Sequence, residues 1–358
     1  MNSVASQEEK DGGGGLINMG LTCYGNAVMQ NLRHLSKLAW IMEEGKYDTL
    51  FKKGKSLTEK RQNNQELTRA FAEVVQFLGK CKRTQSVRPG NFWTRLVPAV
   101  YDTMYEQFAT KMCHDSHEFY QLVIETIHQS TIQEVDMRII RPPPKTPEEV
   151  LVHAALGAWQ KNFEKEYSPL VHMFYGMFHQ RTVCQRCMNT THRWEPFNSL
   201  KVPISAETGA PCDIMGSLRD DLMQEEMIPD YDCEKCGKER GPAKKSVAIW
   251  KLPLVLVMSL KRFQNNGNKI STKVNPLPQG PIDFTPLFSS SSPERHTTVH
   301  YNLRGIVDHH GHHRGGHYTA QCKSNVSGKW HLYDDESVHP IDAPGFGEST
   351  YMLFLERV

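Results

Sequence analysis

Two pairs of cysteines constrain the fold of this chain more than any other feature of its sequence. Cys184 and Cys187 form one Cys-x-x-Cys pair, and Cys233 and Cys236 form the second. A turn with this spacing lets two thiolates reach one tetrahedral metal ion, and two such turns complete its coordination sphere. We predict one structural Zn²⁺ per chain, because four sulfurs leave no position for a catalytic water.

Two other interpretations of these pairs stay open: unrelated surface cysteines, and a zinc-dependent nucleic-acid adaptor. Matched pairs seldom arise by chance, and no basic stripe with interleaved aromatic residues accompanies them. The 358 residues include 42 basic and 40 acidic side chains, a net charge of +2. This balance predicts no general attraction to nucleic acid or to membranes, and we expect neither as a partner.

Composition and cysteine usage are typical of an intracellular globular protein. Hydrophobic residues make up 39% and charged residues 23% of the chain. The longest apolar run, residues 252–258, is far shorter than the roughly 20 residues that span a bilayer. The polar residues 1–15 lack the apolar centre of a secretory signal. Nine cysteines, an odd number, suit metal ligands plus free thiols in a reducing compartment, so we predict the cytoplasm, the nucleus or both.

Helical patterns precede strand patterns along the chain. Apolar residues recur at helical spacing over residues 22–40, with Thr22 as a candidate cap, and over residues 115–127, which begin with a capping-box pattern. Short β-branched or aromatic runs dominate from residue 173 onward. Between them, Pro142–Pro144 predicts an exposed break. The expected fold class is α+β, with helices early and an antiparallel sheet late.

Cys23 lies at the predicted start of the first helix, where unpaired backbone N–H groups and the helix dipole favour a thiolate. Far along the chain, His317 begins one predicted strand, and Asp334 and Asp335 end the next. Adjacent antiparallel strands would let Asp334 hold the imidazole while His317 faces the thiol, as in a cysteine hydrolase. A buried structural thiol, a loop histidine and an acidic turn remain the alternatives.

A histidine-rich run, His309, His310, His312 and His313, precedes His317. We predict a mobile glycine–histidine loop rather than a metal site, because the intervening glycines provide no rigid ligand geometry.

Several separated motifs resemble those of the ubiquitin-specific proteases. Residues 15–30 resemble the cysteine box of this family, and residues 301–318 with 330–338 resemble its histidine box. Residues 114–119, His-Asp-Ser-His-Glu-Phe, are similar to its Gln-Asp-Ala-His-Glu-Phe element, and the cysteine pairs match its zinc-binding fingers. The resemblance covers residues 15–355. It implies the papain-like cysteine protease fold of this family, with a helical thumb, zinc-bearing β fingers and an antiparallel β palm.

The resemblance also implies a domain organisation. A flexible segment over residues 1–14 would precede a single catalytic domain, residues 15–358. Within it, the thumb would cover about 15–170, the fingers about 171–250 and the palm about 251–358. The fingers would grip ubiquitin, and its C-terminal tail would lie between thumb and palm.

By the same resemblance, Cys23 is the nucleophile, His317 the general base and Asp334 the third member of the triad, with Asp335 assisting. Asn18, five residues before the nucleophile, would help build the oxyanion hole. A turn before the helix is the alternative role for Asn18.

Asp115 and Tyr318 align with positions that contact the extended tail of ubiquitin in this family. A helix cap for Asp115 and sheet packing for Tyr318 are compatible alternatives. The chain departs from the family at His114, which replaces a glutamine, and at Ser116, which replaces an alanine.

The activity that the resemblance implies is that of a cysteine-type deubiquitinase. Such an enzyme cleaves the bond after the C-terminal glycine of ubiquitin, on protein lysines or within chains, through a thioester intermediate. The expected partners are ubiquitin, ubiquitinated proteins and a regulatory protein. A catalytically silent ubiquitin-binding module and a protease for a ubiquitin-like modifier are the alternatives, and the complete Cys, His and Asp set favours an enzyme over a silent module.

Overall fold

Helices fill the first half of the chain and strands the second. The computed structural model describes residues 11–43, 46–51, 57–205, 209–237, 240–264, 266–312 and 315–358. The helices are α1 (Cys23–Arg33), α2 (Ser36–Met42), α3 (Lys46–Leu50), α4 (Glu59–Lys80), α5 (Gly90–Val100), α6 (Ser116–Thr131), α7 (Pro147–Phe163), α8 (Pro169–Phe174) and α9 (Ile214–Met223). The strands are β1 (Gly15–Leu16), β2 (Ser86–Val87), β3 (Gly176–Cys184), β4 (Thr190–Phe197), β5 (Leu200–Pro203), β6 (Glu226–Tyr231), β7 (Gly241–Lys251), β8 (Val255–Lys261), β9 (Ile282–Asp283), β10 (His300–His312), β11 (Gly315–Lys323), β12 (Trp330–Asp334), β13 (Ser337–Ile341) and β14 (Thr350–Arg357).

Most strands belong to two sheets. The larger has the order β13-β12-β11-β10-β14-β8-β5, with β9 paired to β10, and the smaller has the order β4-β3-β7-β6. Pairing is antiparallel in both sheets apart from the parallel contact of β5 with β8. The predicted α+β class is confirmed.

The segment over residues 246–263, which is rich in β-branched and apolar side chains, divides between the two sheets. Its first part ends β7 at Lys251 in the smaller sheet, and its second part is β8 in the larger one. Pro253 lies between them and has no N–H to offer a strand ladder. The break therefore marks where the chain passes from one sheet to the other.

Helix α1 lies at the centre of the molecule, between α6 and strand β11. Every residue from Cys23 to Leu32 is buried, including polar ones. Two of these side chains donate to distant backbone groups: the Gln30 amide donates to the Gly14 carbonyl at 3.1 Å, and the Asn31 amide donates to the Ile306 carbonyl at 3.1 Å. These bonds offset the cost of burying polar groups and tie the helix to distant segments.

The helix predicted over residues 22–40 is interrupted. Helix α1 ends at Arg33, and α2 begins at Ser36. The His34 ring donates from Nδ1 to the Gln30 carbonyl at 2.7 Å, and its Nε2 lies 3.1 Å from the Tyr333 hydroxyl. Because these contacts involve a distant strand, the local apolar spacing did not indicate the break.

Residues before β1 form part of the packed structure where they are described. Residues 1–10 of the expected flexible segment lie outside the described residues, whereas Asp11 and the glycines that follow are buried. The Ser324 hydroxyl donates to Asp11 at 2.7 Å, and the Tyr333 hydroxyl donates to the Gly12 carbonyl at 2.6 Å. These bonds hold residues 11–14 against the larger sheet rather than leaving them free.

The proline run lies in an exposed segment between α6 and α7, as predicted. Helix α7 then begins with a reciprocal capping box between Thr146 and Glu149. It packs against β4, where Trp159 contributes to a small apolar cluster with Trp194 and Trp250. Among the described helices, none combines the length and the apolar character that crossing a membrane would require.

The histidine-rich run does not form the predicted mobile loop. His309, His310 and His312 belong to β10, which pairs with β11 as far as His312 opposite Gly315. His313 lies outside the described residues. Backbone pairing with β11 orders the run, an interaction that the glycine content alone did not reveal.

Candidate active site

Cys23 is the first residue of α1 and its side chain is buried. The N-terminus of a helix favours a thiolate through its free N–H groups and dipole. Thr22 occupies the cap position without capping through its side chain, so that expectation is wrong. Its hydroxyl instead accepts from the Met19 N–H at 2.9 Å and donates to the Asn18 side chain at 3.3 Å. The threonine therefore orders the turn that leads into the nucleophile position.

His317 and Asp334 meet because β11 and β12 are adjacent antiparallel strands. His317 lies near the start of β11 and Asp334 ends β12. The Nε2 atom of His317 lies 2.6 Å from an Asp334 carboxylate oxygen. This bond leaves Nδ1 as the ring nitrogen available to another group.

The surroundings of His317 favour its protonated form. Burial alone would lower the pKa of the ring, but the hydrogen bond to Asp334 and the charges of Cys23, Asp334 and Asp335 outweigh it. The pKa of His317 therefore lies above its ordinary value of 6.5. An imidazolium at this place can stabilise a neighbouring thiolate and can later release a proton.

Replacing Asp334 by asparagine should lower the pKa of His317. The amide keeps the shape of the side chain but removes the negative charge, while burial still disfavours the imidazolium. The ring then loses its proton at a lower pH than in the unmodified chain, which an NMR titration of the histidine ring C–H signals measures. Asp342→Asn, a change at an exposed carboxylate, is the matched control. An unchanged His317 pKa in Asp334→Asn would show that Asp334 does not tune this ring.

Cys23 lies close enough to His317 for their charges to interact. Cys113, an exposed cysteine in the segment before α6, is the largest of the influences that raise the pKa of Cys23, ahead of burial. The backbone of Tyr318, the next residue of β11, and the charge of His317 act in the opposite direction. The structure thus joins the sequence-predicted imidazole and carboxylate by a hydrogen bond, and it packs the strand that carries the imidazole against helix α1, which begins with the thiol.

Asp335, the residue after β12, connects the larger sheet to the segment before Cys23. Its carboxylate accepts from the side-chain amide of Asn18 at 2.8 Å and from that of Asn26 at 2.8 Å. Its backbone carbonyl accepts from the Leu16 N–H at 2.7 Å. Asp335 lies in the tight β12–β13 turn with a φ of 46°, a left-handed conformation that aspartate tolerates better than most residues. A side chain at Gly15 would collide with the Glu336 carbonyl, so glycine there permits this close approach.

The Asn18 side chain is fixed at both of its polar atoms. Its oxygen accepts from the N–H groups of Gly20, at 3.0 Å, and Thr22, at 3.1 Å. Its nitrogen donates one hydrogen to Asp335, and an amide nitrogen carries two. The bond to Asp335 therefore uses one of the two N–H groups of the amide.

Asp115 and Tyr318, the predicted tail-binding residues, both have structural partners. The Asp115 carboxylate accepts from the N–H groups of His117 and Glu118 at the start of α6, and from the Tyr351 hydroxyl at 2.5 Å. Tyr318 is only 4% exposed, and its ring packs beside that of His309. The cap and packing roles are therefore present, and contact with a substrate tail stays a prediction for both.

The four cysteines of the two pairs converge at one end of the smaller sheet. The first pair lies at the β3–β4 turn and the second at the β6–β7 turn, and β3 is adjacent to β7. Their sulfur atoms all lie within 4.8 Å of one another, with the closest contacts at 3.6 and 3.7 Å. Tetrahedral zinc with Zn–S bonds of about 2.3 Å requires sulfurs about 3.8 Å apart. The geometry fits a metal ion held by Cys184, Cys187, Cys233 and Cys236.

Backbone N–H groups favour the thiolate form of one of these sulfurs. The N–H groups of Cys187 and Arg186 donate to Cys184 and lower the pKa of its thiol to about 6. Metal binding requires the thiolate, so these donors favour the ligand form.

Three residues of the site were missed by sequence reasoning. Asn26 holds Asp335, Tyr351 holds Asp115, and Cys113 raises the pKa of Cys23. Asn26 stands within the cysteine box, and its place one helical turn after Cys23 was a usable signal. Tyr351 and Cys113 carry no motif, because only the folded chain brings them to their partners.

Comparison with known proteins agrees with this arrangement. The family model for ubiquitin carboxyl-terminal hydrolase matches residues 14–355. Ubiquitin carboxyl-terminal hydrolase 2 of Bos taurus is 28% identical over 366 residues, which cover 99% of this chain and 56% of the relative. The protein of the same name from Gallus gallus is 29% identical over 299 residues, covering 80% of this chain and 78% of the relative. The chain spans about half the length of the mammalian relatives it matches.

Solved structures share the fold. The Ubp8/Sgf11/Sus1/Sgf73 module of SAGA bound to monoubiquitin aligns with a TM-score of 0.70 at 24% identity, covering 98% of this chain and 70% of that one. The same module bound to ubiquitin aldehyde aligns with a TM-score of 0.69 at 23% identity, covering 100% and 73%. The match of the family model over nearly the whole described chain shows that this protein belongs to the ubiquitin carboxyl-terminal hydrolase family.

Proposed function

We propose that this chain is a thiol-dependent deubiquitinase. It would hydrolyse the bond after the C-terminal glycine of ubiquitin, on protein lysines or within ubiquitin chains. One observation carries the proposal: an imidazole that is hydrogen bonded to a carboxylate lies on strand β11, and β11 packs against helix α1, whose first residue is a cysteine. Family membership and the relatives' names give the substrate class.

Cys23 is the nucleophile of the proposed reaction and His317 its base. His317 takes the proton of the Cys23 thiol, the sulfur attacks the carbonyl carbon of the terminal glycine, and the amide π electrons move onto oxygen. The imidazolium of His317 then gives its proton to the leaving lysine amine, which produces a thioester. Water that loses a proton to His317 attacks the thioester and releases ubiquitin. Asp334 holds the ring through Nε2 during both steps.

Asn18 stabilises the oxygen of the tetrahedral intermediate, and Asp335 holds Asn18 in place. The free N–H of the Asn18 amide donates to the developing negative charge. Asp335 acts as a positioning residue, because it holds Asn18 through the other N–H and contacts no substrate atom in this proposal. We assign Asp115 and Tyr318 to the channel of the ubiquitin tail, in addition to their structural contacts.

Turnover of ubiquitin with a C-terminal fluorogenic amide tests the proposal. We expect hydrolysis by the unmodified chain and covalent capture by a ubiquitin probe that carries a C-terminal electrophile. A silent ubiquitin-binding module would bind ubiquitin without either result. A parallel panel of probes made from ubiquitin-like modifiers distinguishes a deubiquitinase from a protease for another modifier.

We also propose that the four-cysteine site holds one structural zinc ion. The metal would join the two turns of the smaller sheet and contribute to its folding. The domain limits remain a proposal too: a thumb over about 15–170, fingers over about 171–250 and a palm over about 251–358.

Replacement of Cys233 and Cys236 together by serine should remove the zinc. Two ligands are lost, and a hydroxyl is a poor substitute for a thiolate at a Zn²⁺ site. Metal analysis should find one zinc per unmodified chain and none in the double variant, whereas Cys212→Ser, at a thiol outside the site, keeps the ion. Hydrolysis should persist in part, because the proposed chemistry does not use the metal. Zinc retained by the double variant would exclude this site.

The proposed partners are ubiquitin, ubiquitinated proteins and a regulatory protein. The structural neighbour Ubp8 is bound to ubiquitin and to Sgf11, Sus1 and Sgf73, which motivates the last of these. We place the activity in the cytoplasm or nucleus, since a reducing compartment keeps zinc-binding thiolates and a nucleophilic thiol intact.

A further inference from the structure

The proline run between α6 and α7 is mostly exposed and takes no part in the proposed reaction. Residues 142–144 are three successive prolines, and the segment from Arg141 to Lys145 forms neither a helix nor a strand. Within the part of the chain that the structure describes, no hydrogen bond or ion pair joins residues 139–144 to another residue. The side chains of this segment are therefore available to a partner.

Both ends of the segment are anchored. Before the run, the Val135 N–H donates to the Glu164 carbonyl at 2.9 Å. After the run, the Lys145 N–H donates to the Glu149 carboxylate at 2.6 Å. A cleft of about 540 Å³ lies between the prolines and the first two turns of α7. The run is thus held at its ends and does not pack closely on the helix along its length.

The prolines restrict the conformation of the run. Each proline ring locks its own φ at about −65° and disfavours the helical region for the residue before it. These two effects cover Arg141 to Pro144, and they also cover Thr146 and Pro147. Thr146 has a φ of −114° and a ψ of 158°, an extended conformation. The sequence therefore favours a polyproline II helix, which has three residues per turn and no internal hydrogen bonds.

Three residues recur at the period of this helix. Arg141, Pro144 and Pro147 stand three positions apart, in the pattern Arg-x-x-Pro-x-x-Pro. Because polyproline II has three residues per turn, their side chains lie along one edge of it. Pro147 is also the first residue of α7, and its fixed φ suits both conformations. The start of α7 therefore leaves the last ring of the pattern in place.

The chemistry of this edge selects one kind of partner. Grooves lined with aromatic side chains bind the proline rings of polyproline II segments, as in SH3 domains. Arg141 adds a positive charge at one end of the pattern, and no carboxylate of the described chain pairs with it. An acidic pocket beside the aromatic groove would bind this guanidinium through two parallel hydrogen bonds. Since the run is already restricted, docking costs little conformational entropy.

We propose that residues 141–147 are a docking segment for the SH3-type domain of a partner protein. The aromatic groove of the partner binds Pro144 and Pro147, and its acidic pocket binds Arg141. This inference goes beyond the proposed function and does not depend on it, because docking at an exposed segment requires no ubiquitin. It assigns a recognition chemistry to the proposed regulatory protein.

A panel of purified SH3 domains that select Arg-x-x-Pro-x-x-Pro peptides tests the proposal. The domains are immobilised and titrated with the full chain, and surface plasmon resonance gives each dissociation constant. We expect saturable binding by members of this panel and none by a parallel panel of WW domains, which also bind proline-rich segments. Binding by no SH3 domain, or by WW domains alone, would overturn the proposal.

Single substitutions locate the docking segment. For an SH3 domain that binds, Arg141→Ala and Pro144→Ala should each raise the dissociation constant by at least about tenfold, the order expected for a central residue of an interface. Arg138→Ala is the matched control, because Arg138 is an exposed arginine of the same segment that pairs with Asp136 and lies outside the pattern. Its dissociation constant should stay within about twofold of the unmodified value. Equal binding by Arg141→Ala and the unmodified chain would contradict the assignment.

Hydrolysis of the ubiquitin amide is a separate readout for the same variants. All three substitutions lie in an exposed segment outside the candidate active site, so each variant should keep the rate of the unmodified chain. An unmodified chain that binds the SH3 domain but does not hydrolyse the amide would refute only the proposed function. A chain that hydrolyses the amide but binds no SH3 domain would refute only the docking segment.

Discussion

Replacement of Cys23 by alanine should reduce hydrolysis of a ubiquitin amide by about 10⁵- to 10⁶-fold, the order seen when another hydrolase loses its nucleophile. The methyl group cannot form the thioester, and neither His317 nor Asp334 has a second route to a covalent intermediate in the proposed mechanism. Turnover measured with a fluorogenic ubiquitin amide gives the loss in rate. Covalent capture by the ubiquitin probe should vanish as well.

The same variant should still bind ubiquitin. Alanine fills most of the space of a buried cysteine, so the surface that would contact the folded body of ubiquitin is unchanged. Cys212→Ser is the matched control, because it removes a partly buried thiol that contacts neither His317 nor the metal site, and its rate should stay within a few-fold of the unmodified chain. Persistent turnover in Cys23→Ala would refute the nucleophile assignment.

Periodicity and breaker residues predicted the fold class, whereas long-range contacts set the element boundaries. Asp115 starts α6 as its capping pattern predicted, since a cap depends on residues within one turn. At the end of α1, His34 contacts Tyr333, which lies far away in sequence, so no local pattern contains this partner. The order in β10 comes from its hairpin with β11, a pairing that the glycine content did not indicate.

The candidate site also combines groups that sequence motifs predicted with groups that only the folded chain brings to their partners. The motifs around His317 and Asp334 predicted two groups that the fold brings together, because the strand order follows from short hairpin connections. Tyr351 and Cys113 came only from the structure. Asn26 could have been read as an ordinary polar helix residue, and its partner Asp335 stands at the other end of the chain.

Replacement of Asp335 by alanine should lower kcat by about 10²–10³-fold, the cost typical of losing one oxyanion donor, with little change in KM. Asp335 accepts one hydrogen of the Asn18 amide and anchors Asn26, so its removal frees Asn18 to rotate away from the developing charge. Steady-state kinetics with the ubiquitin amide separate kcat from KM. A purely structural role would disturb substrate binding and stability together with the rate.

Two further variants isolate the positioning role. Asp335→Asn keeps one acceptor oxygen and should recover part of the rate, because it can still hold Asn18 or Asn26 but not both. Asn18→Ala combined with Asp335→Ala should be little slower than Asn18→Ala alone, since both changes remove the same donor. Fully additive losses in the double variant would show that Asp335 acts on catalysis by another route. The negative charge of Asp335 raises the pKa of His317, so a lowered His317 pKa in Asp335→Ala would then identify that charge as the route.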